Sequence, residues 1–296
     1  MSRPKIIDTH VHFWDMSNPG NLRYSWLEKG AIHPILGDID AMKSLKYDIH
    51  SVYAESRFAD VSGFVHVQAA LGSPDPVEET RWLTRMHESA PAPFVIVAHA
   101  DLGTDQADAQ LAGHAESPYF VGVRDFATEP MLAAKQVNPQ FETSLDRLAA
   151  DELVFDLDCE WMNMAEATRL ATRHPNLTIV LEHIGFPRAR DDEYFNSWRN
   201  GMAALSSAEN VTCKISGLAM TDPFFTRDSL RPWVDTCVEL FTPDRCVLGS
   251  NWPVDRLYSS YGIIMNLYRE YISGLSESEQ NKILHGNASR IFKMAA

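Results

Sequence analysis

Two histidines separated by a single residue, His10 and His12, lie in an apolar segment near the start of the chain. Ile6 and Ile7 precede them and favour a short β-strand, on which positions i and i+2 face the same side. The two imidazoles are therefore expected side by side, with Asp8 on the same face. Paired imidazoles can bind a divalent metal, or can donate hydrogen bonds to a carbonyl oxygen that gains negative charge. The alternative is two unrelated core or surface histidines, because so short a motif often occurs by chance.

Short apolar, β-rich segments alternate along the chain with helical patterns, at intervals of roughly 30 residues after a longer first one. The predicted strands are Ile6–His10, Gly63–Ala69, Phe94–Ala100, Phe120–Asp125, Val154–Asp158, Thr178–His183, Val211–Ile215 and Cys246–Ser250. The clearest helical patterns are Val77–Ser89, Phe141–Ala150, Ala165–Arg173 and Leu230–Leu240. This alternation predicts an α/β fold, a single (β/α)8 TIM barrel that takes up residues 1–296 as one domain.

The first interval is longer than the others. Asp15–Gly37 is rich in turn residues and aromatics and predicts an extended loop over the barrel mouth after strand 1, whereas Asp40–Ala54 is expected to be helical. Polar side chains recur where the predicted strands end: Gln68, Arg124, Asp125, Asp158, Glu182, His183, Lys214, Ser216, Asn251, Trp252 and Asp255. Because (β/α)8 enzymes keep their active sites at the C-terminal mouth, this clustering predicts one site there.

The composition is typical of a globular enzyme. Of 296 residues 45% are hydrophobic, and the formal net charge is −14. No Lys/Arg-rich block suggests a nucleic-acid partner, and we recognise neither a signal segment nor a membrane-spanning run. The four cysteines, Cys159, Cys213, Cys237 and Cys246, form no CxxC pair and are interpreted as buried thiols. We therefore expect a cytoplasmic protein that acts on a small molecule, and the sequence leaves a homo-oligomeric state open.

Seven motifs carry a family resemblance and span nearly the whole chain. They are Asp8–Asp15 (DTHVHFWD), Phe64–Ala69 (FVHVQA), Gly122–Asp125 (GVRD), Glu182–Pro187 (EHIGFP), Cys213–Leu218 (CKISGL), Gly249–Asp255 (GSNWPVD) and His285–Arg290 (HGNASR). In this order they resemble the amidohydrolase superfamily of TIM-barrel metal-dependent hydrolases, in the branch that contains sugar lactonases. The resemblance implies that His10, His12 and His183 face the reacting carbonyl or a metal, and that Arg124 contacts the substrate.

One position departs from the superfamily pattern. Many members end strand 8 with an aspartate that acts as general base and, in metal-binding members, as a ligand, whereas this chain has Asn251. An amide cannot accept a proton at neutral pH and is a poor ligand for Zn²⁺. The superfamily's bridging lysine on strand 4 is also absent, so a two-metal site is not expected. Two alternatives stay open. The site either binds one Zn²⁺ through His10, His12 and His183, or works without a metal.

The remaining candidates have narrower roles. Asp255 is the candidate general base, and the alternative is a surface turn carboxylate paired with Arg256. Asp125 and Asp158 are other candidate bases that are more typical of structural acceptors, and Asp8 is expected to orient an imidazole. The residues expected to bind substrate are Trp14, Gln68, Arg124, Asn251 and Trp252. Trp26 is interpreted as rim packing, and His66 and His99 as core histidines.

Three functions fit these features. The leading hypothesis is a hydrolase that opens a small lactone of a sugar acid or a dicarboxylate by water attack on a polarised carbonyl. The second is a non-oxidative decarboxylase of the same superfamily, which needs a firmly bound metal, so that Asn251 counts against it. The third is a catalytically silent barrel that binds a ligand, and Asn251 is its only support.

Overall fold

The computed structural model describes residues 4–17, 20–33 and 35–294. Eight parallel strands form one sheet in chain order, and this confirms the predicted (β/α)8 barrel. The strands are β1 (Ile6–Val11), β2 (Val61–Val67), β3 (Phe94–His99), β4 (Phe120–Arg124), β5 (Val154–Leu157), β6 (Thr178–Leu181), β7 (Val211–Ile215) and β8 (Cys246–Leu248). Most of their residues are buried, as expected for a parallel sheet covered by helices.

The sheet closes between β1 and the segment that follows β8. Val11 forms a parallel bridge with Trp252, and the His12 backbone N–H donates to the Trp252 carbonyl oxygen at 2.8 Å. This closure brings the end of β1 and the end of β8 to the same edge of the barrel, so that residues from both ends of the chain can share one site.

Asp8 joins the first and last strands through its carboxylate. The Ser250 backbone N–H and hydroxyl donate to it at 2.7 and 2.6 Å, and the Tyr261 hydroxyl donates at 2.7 Å. Its contact with His10 is through the backbone N–H at 3.2 Å, not through the ring. The prediction that Asp8 orients an imidazole directly is therefore wrong, because closure of the barrel takes up its oxygens.

Helices cover the outside of the sheet. They are α1 (Ile49–Ser56), α2 (Val77–His87), α3 (Ala107–His114), α4 (Thr128–Ala134), α5 (Pro139–Ala150), α6 (Met164–Arg173), α7 (Asp192–Ser206), α8 (Arg227–Phe241), α9 (Tyr261–Tyr271), α10 (Glu277–Asn281) and α11 (Asn287–Ile291). Local sequence sets several starts. For example, Asn138 caps α5 with Pro139 at the first helical position, and Thr226 forms a capping box at α8.

The long first interval is less helical than its sequence predicts. Asp48 caps the Ser51 backbone N–H, so α1 begins only at Ile49, and Lys46–Tyr47 pairs antiparallel with Trp14–Asp15 instead. The helix predicted over Asp40–Ala54 is therefore wrong for its first half.

Before that pairing, Ile32–His33 and Gly37–Asp38 form a small antiparallel ladder within the predicted loop. The four cysteines are buried free thiols, as predicted. Among the described residues, none of the helices has both the length and the apolar character needed to cross a bilayer.

Candidate active site

The structure brings the three predicted imidazoles together at the C-terminal mouth. The Nε2 atoms of His10 and His12 are 3.1 Å apart, and the ring centroids of His10 and His183 are 4.3 Å apart. All three side chains are buried. The i, i+2 spacing at the end of β1 and the closed barrel together place these rings around one point.

His183 reaches this point from a turn rather than from a strand. The segment Glu182–Gly185 follows β6, and His183 has a left-handed backbone with φ of 49°. Its Nδ1 lies 2.8 Å from the Ser216 hydroxyl. At Gly217, a Cβ atom would lie 2.5 Å from the same Nδ1. The glycine after β7 is therefore required for the ring to sit where it does.

The histidines are neutral at physiological pH. Burial, with nearby positive charges, lowers the pKa of His10 and His12 well below the usual range, and burial lowers that of His183 to about 3. The Nδ1 of His12 lies 2.8 Å from the Val67 carbonyl oxygen. Because a carbonyl only accepts, this nitrogen carries the hydrogen, and the lone pair of His12 is on Nε2, which faces His10.

Glu182 adds a buried carboxylate that the sequence analysis did not assign to a metal. Its Oε1 is 3.5 Å from Nδ1 of His10, and its Oε2 is 3.0 Å from Nη1 of Arg124. Burial opposes ionisation, but the charges of Arg124 and Lys214 outweigh it and lower the pKa of Glu182 to about 2. The group is therefore an anion beside the imidazoles.

The donor set fits one divalent cation. One ligand atom each from His10, Glu182 and His183 lies within 4.8 Å of the others. Nδ1 of His10 has no hydrogen-bond partner in the described part of the chain. With the lone pair of His12 on Nε2, Nε2 of His10 donates to it at 3.1 Å, and Nδ1 of His10 is left to bind a metal. Of the three histidines predicted to hold the metal, His10 and His183 belong to this set, whereas His12 does not and Glu182 joins instead.

A cavity of about 380 Å³ opens onto the cluster. Its described lining residues are His12, Trp26, His33, Ile35, Gln68, Leu71, Arg124, Phe126, Glu129, Asp158, Glu160, His183, Phe186, Arg188, Met220, Asn251 and Val254. The size is within the usual range for a small-molecule site. Trp26, His33 and Ile35 come from the long loop after β1, which therefore covers the mouth as predicted.

The predicted substrate-binding residues separate into two groups. Gln68, Arg124 and Asn251 line the cavity, whereas Trp14 and Trp252 lie behind its wall. The indole N–H of Trp14 donates to the Ser44 carbonyl at 2.8 Å and that of Trp252 to Glu55 at 2.9 Å, so neither faces the cavity.

Trp26, interpreted from sequence as rim packing, is a lining residue instead. Phe126, Glu160, Phe186 and Arg188 are lining residues that the sequence analysis missed. Their position in the chain could have identified them, because each lies in the segment that directly follows a strand of the barrel.

Asp255 is buried and hydrogen-bonded, so the alternative of a surface turn carboxylate is wrong. It accepts from Nδ2 of Asn251 at 3.0 Å and from the Ala219 backbone N–H at 3.2 Å, and Arg256 pairs with Glu55 instead. Burial raises the pKa of Asp255 to about 7. Its role as general base stays a prediction, and the Asn251 amide lies between it and the cavity.

This contact explains why an amide occupies position 251. We expect Asn251→Asp to destabilise the protein by roughly 1–3 kcal/mol at pH 8.5, because two buried carboxylates then face each other without a donor. At pH 6 one shared proton restores the bond, so the loss of melting temperature shrinks. The measurement is thermal unfolding at both pH values. The double variant Asn251→Asp/Asp255→Asn restores an amide–carboxylate pair and should recover the loss at pH 8.5; failure to recover contradicts this explanation.

A (β/α)8 barrel with neutral imidazoles and a buried glutamate at its C-terminal mouth has the groups that can polarise a carbonyl, directly or through a metal. The amidohydrolase family model matches residues 7–294, and the chain belongs to this family. The predicted superfamily resemblance is thereby confirmed.

The relatives of the chain include a protein without a named activity and a protein named as a lactonase. It is 31% identical to the protein y4mH of Sinorhizobium fredii, over 99% of this chain and 100% of that protein. It is 29% identical to an L-fucono-1,5-lactonase of Burkholderia ambifaria, over 86% and 83% of the two chains. A zinc-bound amidohydrolase of Burkholderia multivorans shares the fold with a TM-score of 0.82 at 22% identity, covering 98% and 100%. The predicted enzyme class, a lactonase-like hydrolase of carboxylic esters, is confirmed by these relatives.

Proposed function

We propose that this protein hydrolyses a neutral lactone of a sugar acid, rather than a dicarboxylate lactone. The observation that carries the proposal is the state of the two arginines that line the cavity. Both are already paired with glutamates, so the wall offers hydroxyl-binding groups and aromatic faces but no unbalanced positive charge for a substrate carboxylate.

Arg124 is held on two sides. Its Nη1 pairs with Glu182 at 3.0 Å and its Nη2 donates to the Gln68 carbonyl at 2.8 Å, which leaves Nε without a partner in the described structure. Arg188 pairs with Glu160 in a short contact. Each guanidinium keeps N–H groups that can donate to a hydroxyl, but its charge is already balanced by a glutamate, and Glu129 and Asp158 add acidic groups to the same wall. A substrate carboxylate would therefore meet no unbalanced positive charge there. The same pairing argues against a decarboxylase, whose substrate also carries a carboxylate.

Gln68 supplies the complementary feature. Its side chain is buried at the cavity, and neither Oε1 nor Nε2 has a hydrogen-bond partner among the described residues. An unpartnered buried amide costs about 1–3 kcal/mol, which a ligand that both donates and accepts can recover. A hydroxyl does both. Trp26, Phe126 and Phe186 add the apolar surface on which a sugar ring packs.

The chemistry follows from the charge states at the mouth. When bound, a divalent cation held by His10, Glu182 and His183 supplies Lewis-acid polarisation of the carbonyl. The neutral ring of His12 presents Nε2 to the same point. Nδ2 of Asn251 is directed to Asp255 and the sulfur of Met220, so its carbonyl oxygen is left to accept a hydrogen bond from water or a hydroxyl.

A matched substrate panel tests this proposal. We expect a six-carbon aldono-1,5-lactone to be hydrolysed with a kcat/KM at least about 100-fold above that of a pyrone dicarboxylate, because discrimination by unpaired polar groups reaches this size. A pH-indicator assay measures both, with enzyme-free reactions to subtract spontaneous opening. Preference for the dicarboxylate would overturn the assignment of substrate class.

The cysteines bear on the compartment of the protein. We propose a cytoplasmic location, supported by four buried thiols that are not oxidised to disulfides. Homo-oligomerisation and the lack of a nucleic-acid partner stay predictions of the sequence.

A further inference from the structure

The carboxylate of Asp158 differs from the other acids of the cavity wall. Glu129 accepts from Nδ2 of Asn163 at 2.7 Å, and Glu160 is paired with Arg188. Asp158 is partly buried in the lining, yet it has neither a hydrogen bond nor an ion pair with any described residue. Its oxygens face the cavity, so they are free to contact a ligand or a water molecule bound there.

Its place in the barrel sets what it can reach. Asp158 directly follows β5, which lies halfway around the eight strands from β1. It therefore lies across the mouth from His10 and His12. His12 and Asp158 line the same cavity, so a lactone bound there lies between the histidine pair and this carboxylate.

The surroundings of Asp158 suit proton transfer at neutral pH. Burial raises its pKa to about 7, and the negative charges of Glu182, Glu129 and Glu160 act in the same direction, whereas Arg124 opposes them. A carboxyl group with a pKa near the working pH can both take up and release a proton. Asn251 cannot do so, and Asp255 lies behind it.

We propose that Asp158 is the general base and acid of the reaction, in place of the carboxylate that position 251 lacks. This inference rests on the lactonase function proposed above. As the water oxygen bonds to the carbonyl carbon, one water proton moves to the Asp158 carboxylate. The tetrahedral intermediate then collapses, the bond from carbon to the ring oxygen breaks, and the proton passes from Asp158 to that oxygen. The product is the open hydroxy acid, and Asp158 is again ionised.

The experiment compares Asp158→Asn with wild type on an aldono-1,5-lactone. We expect kcat to fall by about 10²–10⁴-fold with little change in KM, since the amide keeps the shape but cannot take a proton. The rise of wild-type kcat through neutral pH should disappear in the variant. Asp158→Ala should regain on the order of tenfold activity with added formate, which supplies a small carboxylate in the vacated space.

Asp151→Asn is the matched control, because it makes the same change at an exposed acid that pairs with Arg147 outside the cavity. We expect its kcat to stay within about threefold of wild type. Melting curves show whether each variant is folded, and formate rescue of Asp158→Ala reports the role even where Asp158→Asn folds poorly. If the wild type hydrolyses the lactone and Asp158→Asn is also active, the proposed role of Asp158 is wrong but the lactonase function stands. The same holds if the wild type is active and formate does not rescue Asp158→Ala. A wild type that hydrolyses no lactone overturns both this role and the proposed function.

Discussion

His183→Ala is expected to lower kcat/KM for lactone hydrolysis by at least about 10²–10³-fold, the loss typical when one electrostatic partner of the reacting oxygen is removed. The His183 ring lies 4.3 Å from that of His10 and belongs to the donor set with Glu182. Its removal should also reduce the divalent metal that copurifies with the protein. Steady-state kinetics and elemental analysis of the same preparation measure the two effects together.

His99→Ala is the matched control for this prediction. His99 ends β3 but is not a lining residue of the cavity, and its ring contacts Asp101 at 3.2 Å. We expect its kinetics and metal content to match wild type within about threefold. If His183→Ala keeps wild-type turnover while remaining folded, the imidazole cluster is not the reaction centre. If it loses turnover but keeps its metal, the ring acts on the carbonyl directly.

Lys214→Met should produce the largest loss of stability, about 3–5 kcal/mol of unfolding free energy at pH 7. Nζ of Lys214 lies 2.6 and 2.8 Å from the two oxygens of Asp156 and 4.0 Å from Glu182, and all three side chains are inaccessible to solvent. Burial raises the pKa of Asp156 to about 8 although the charge of Lys214 opposes this, so the lysine is what favours an ionised Asp156. Methionine fills the space of lysine but leaves Asp156 and the anionic Glu182 without this cation. Urea unfolding followed by circular dichroism measures the difference.

Two further variants separate charge from volume. Lys282→Met removes a surface lysine that pairs with Asp244 at 2.6 Å and should cost less than about 1 kcal/mol, because water screens the pair. Lys214→Met/Asp156→Leu removes both members of the buried pair and should recover part of the loss, since no isolated charge remains between them. A Lys214→Met variant as stable as Lys282→Met would show that Asp156 is neutral in the native protein.

Much of the fold could be predicted from the sequence because its signals are local. The eight strand positions follow from short runs of buried apolar residues between helical patterns, and the predicted Val211–Ile215 agrees with β7 at both ends. Helix starts follow from single caps. The first interval was predicted less well. The pairing of Lys46–Tyr47 with Trp14–Asp15 is a contact across some thirty residues, which overrides the helical pattern of Asp40–Ala54.

The candidate site could be predicted only in part. Position at a strand end identified His10, His12, His183, Gln68, Arg124 and Asn251, all of which contact the cavity or its cluster. The position of Trp14 and Trp252 near strand ends could not show that their side chains point away from the cavity. Nor could position distinguish the paired Glu160 from the unpartnered Asp158, since a partner from another strand decides which carboxylate is free.

The sequence by itself determined the barrel, its family and the edge at which the chemistry occurs, because periodicity and motif spacing are properties of the chain alone. The tertiary structure decided the charge and direction of each side chain. Glu182 is ionised because Arg124 and Lys214 approach it from other strands, Asn251 is oriented by Asp255, and His183 fits because Gly217 has no Cβ. These effects depend on distances of a few ångströms between residues far apart in the chain, and only barrel closure sets those distances.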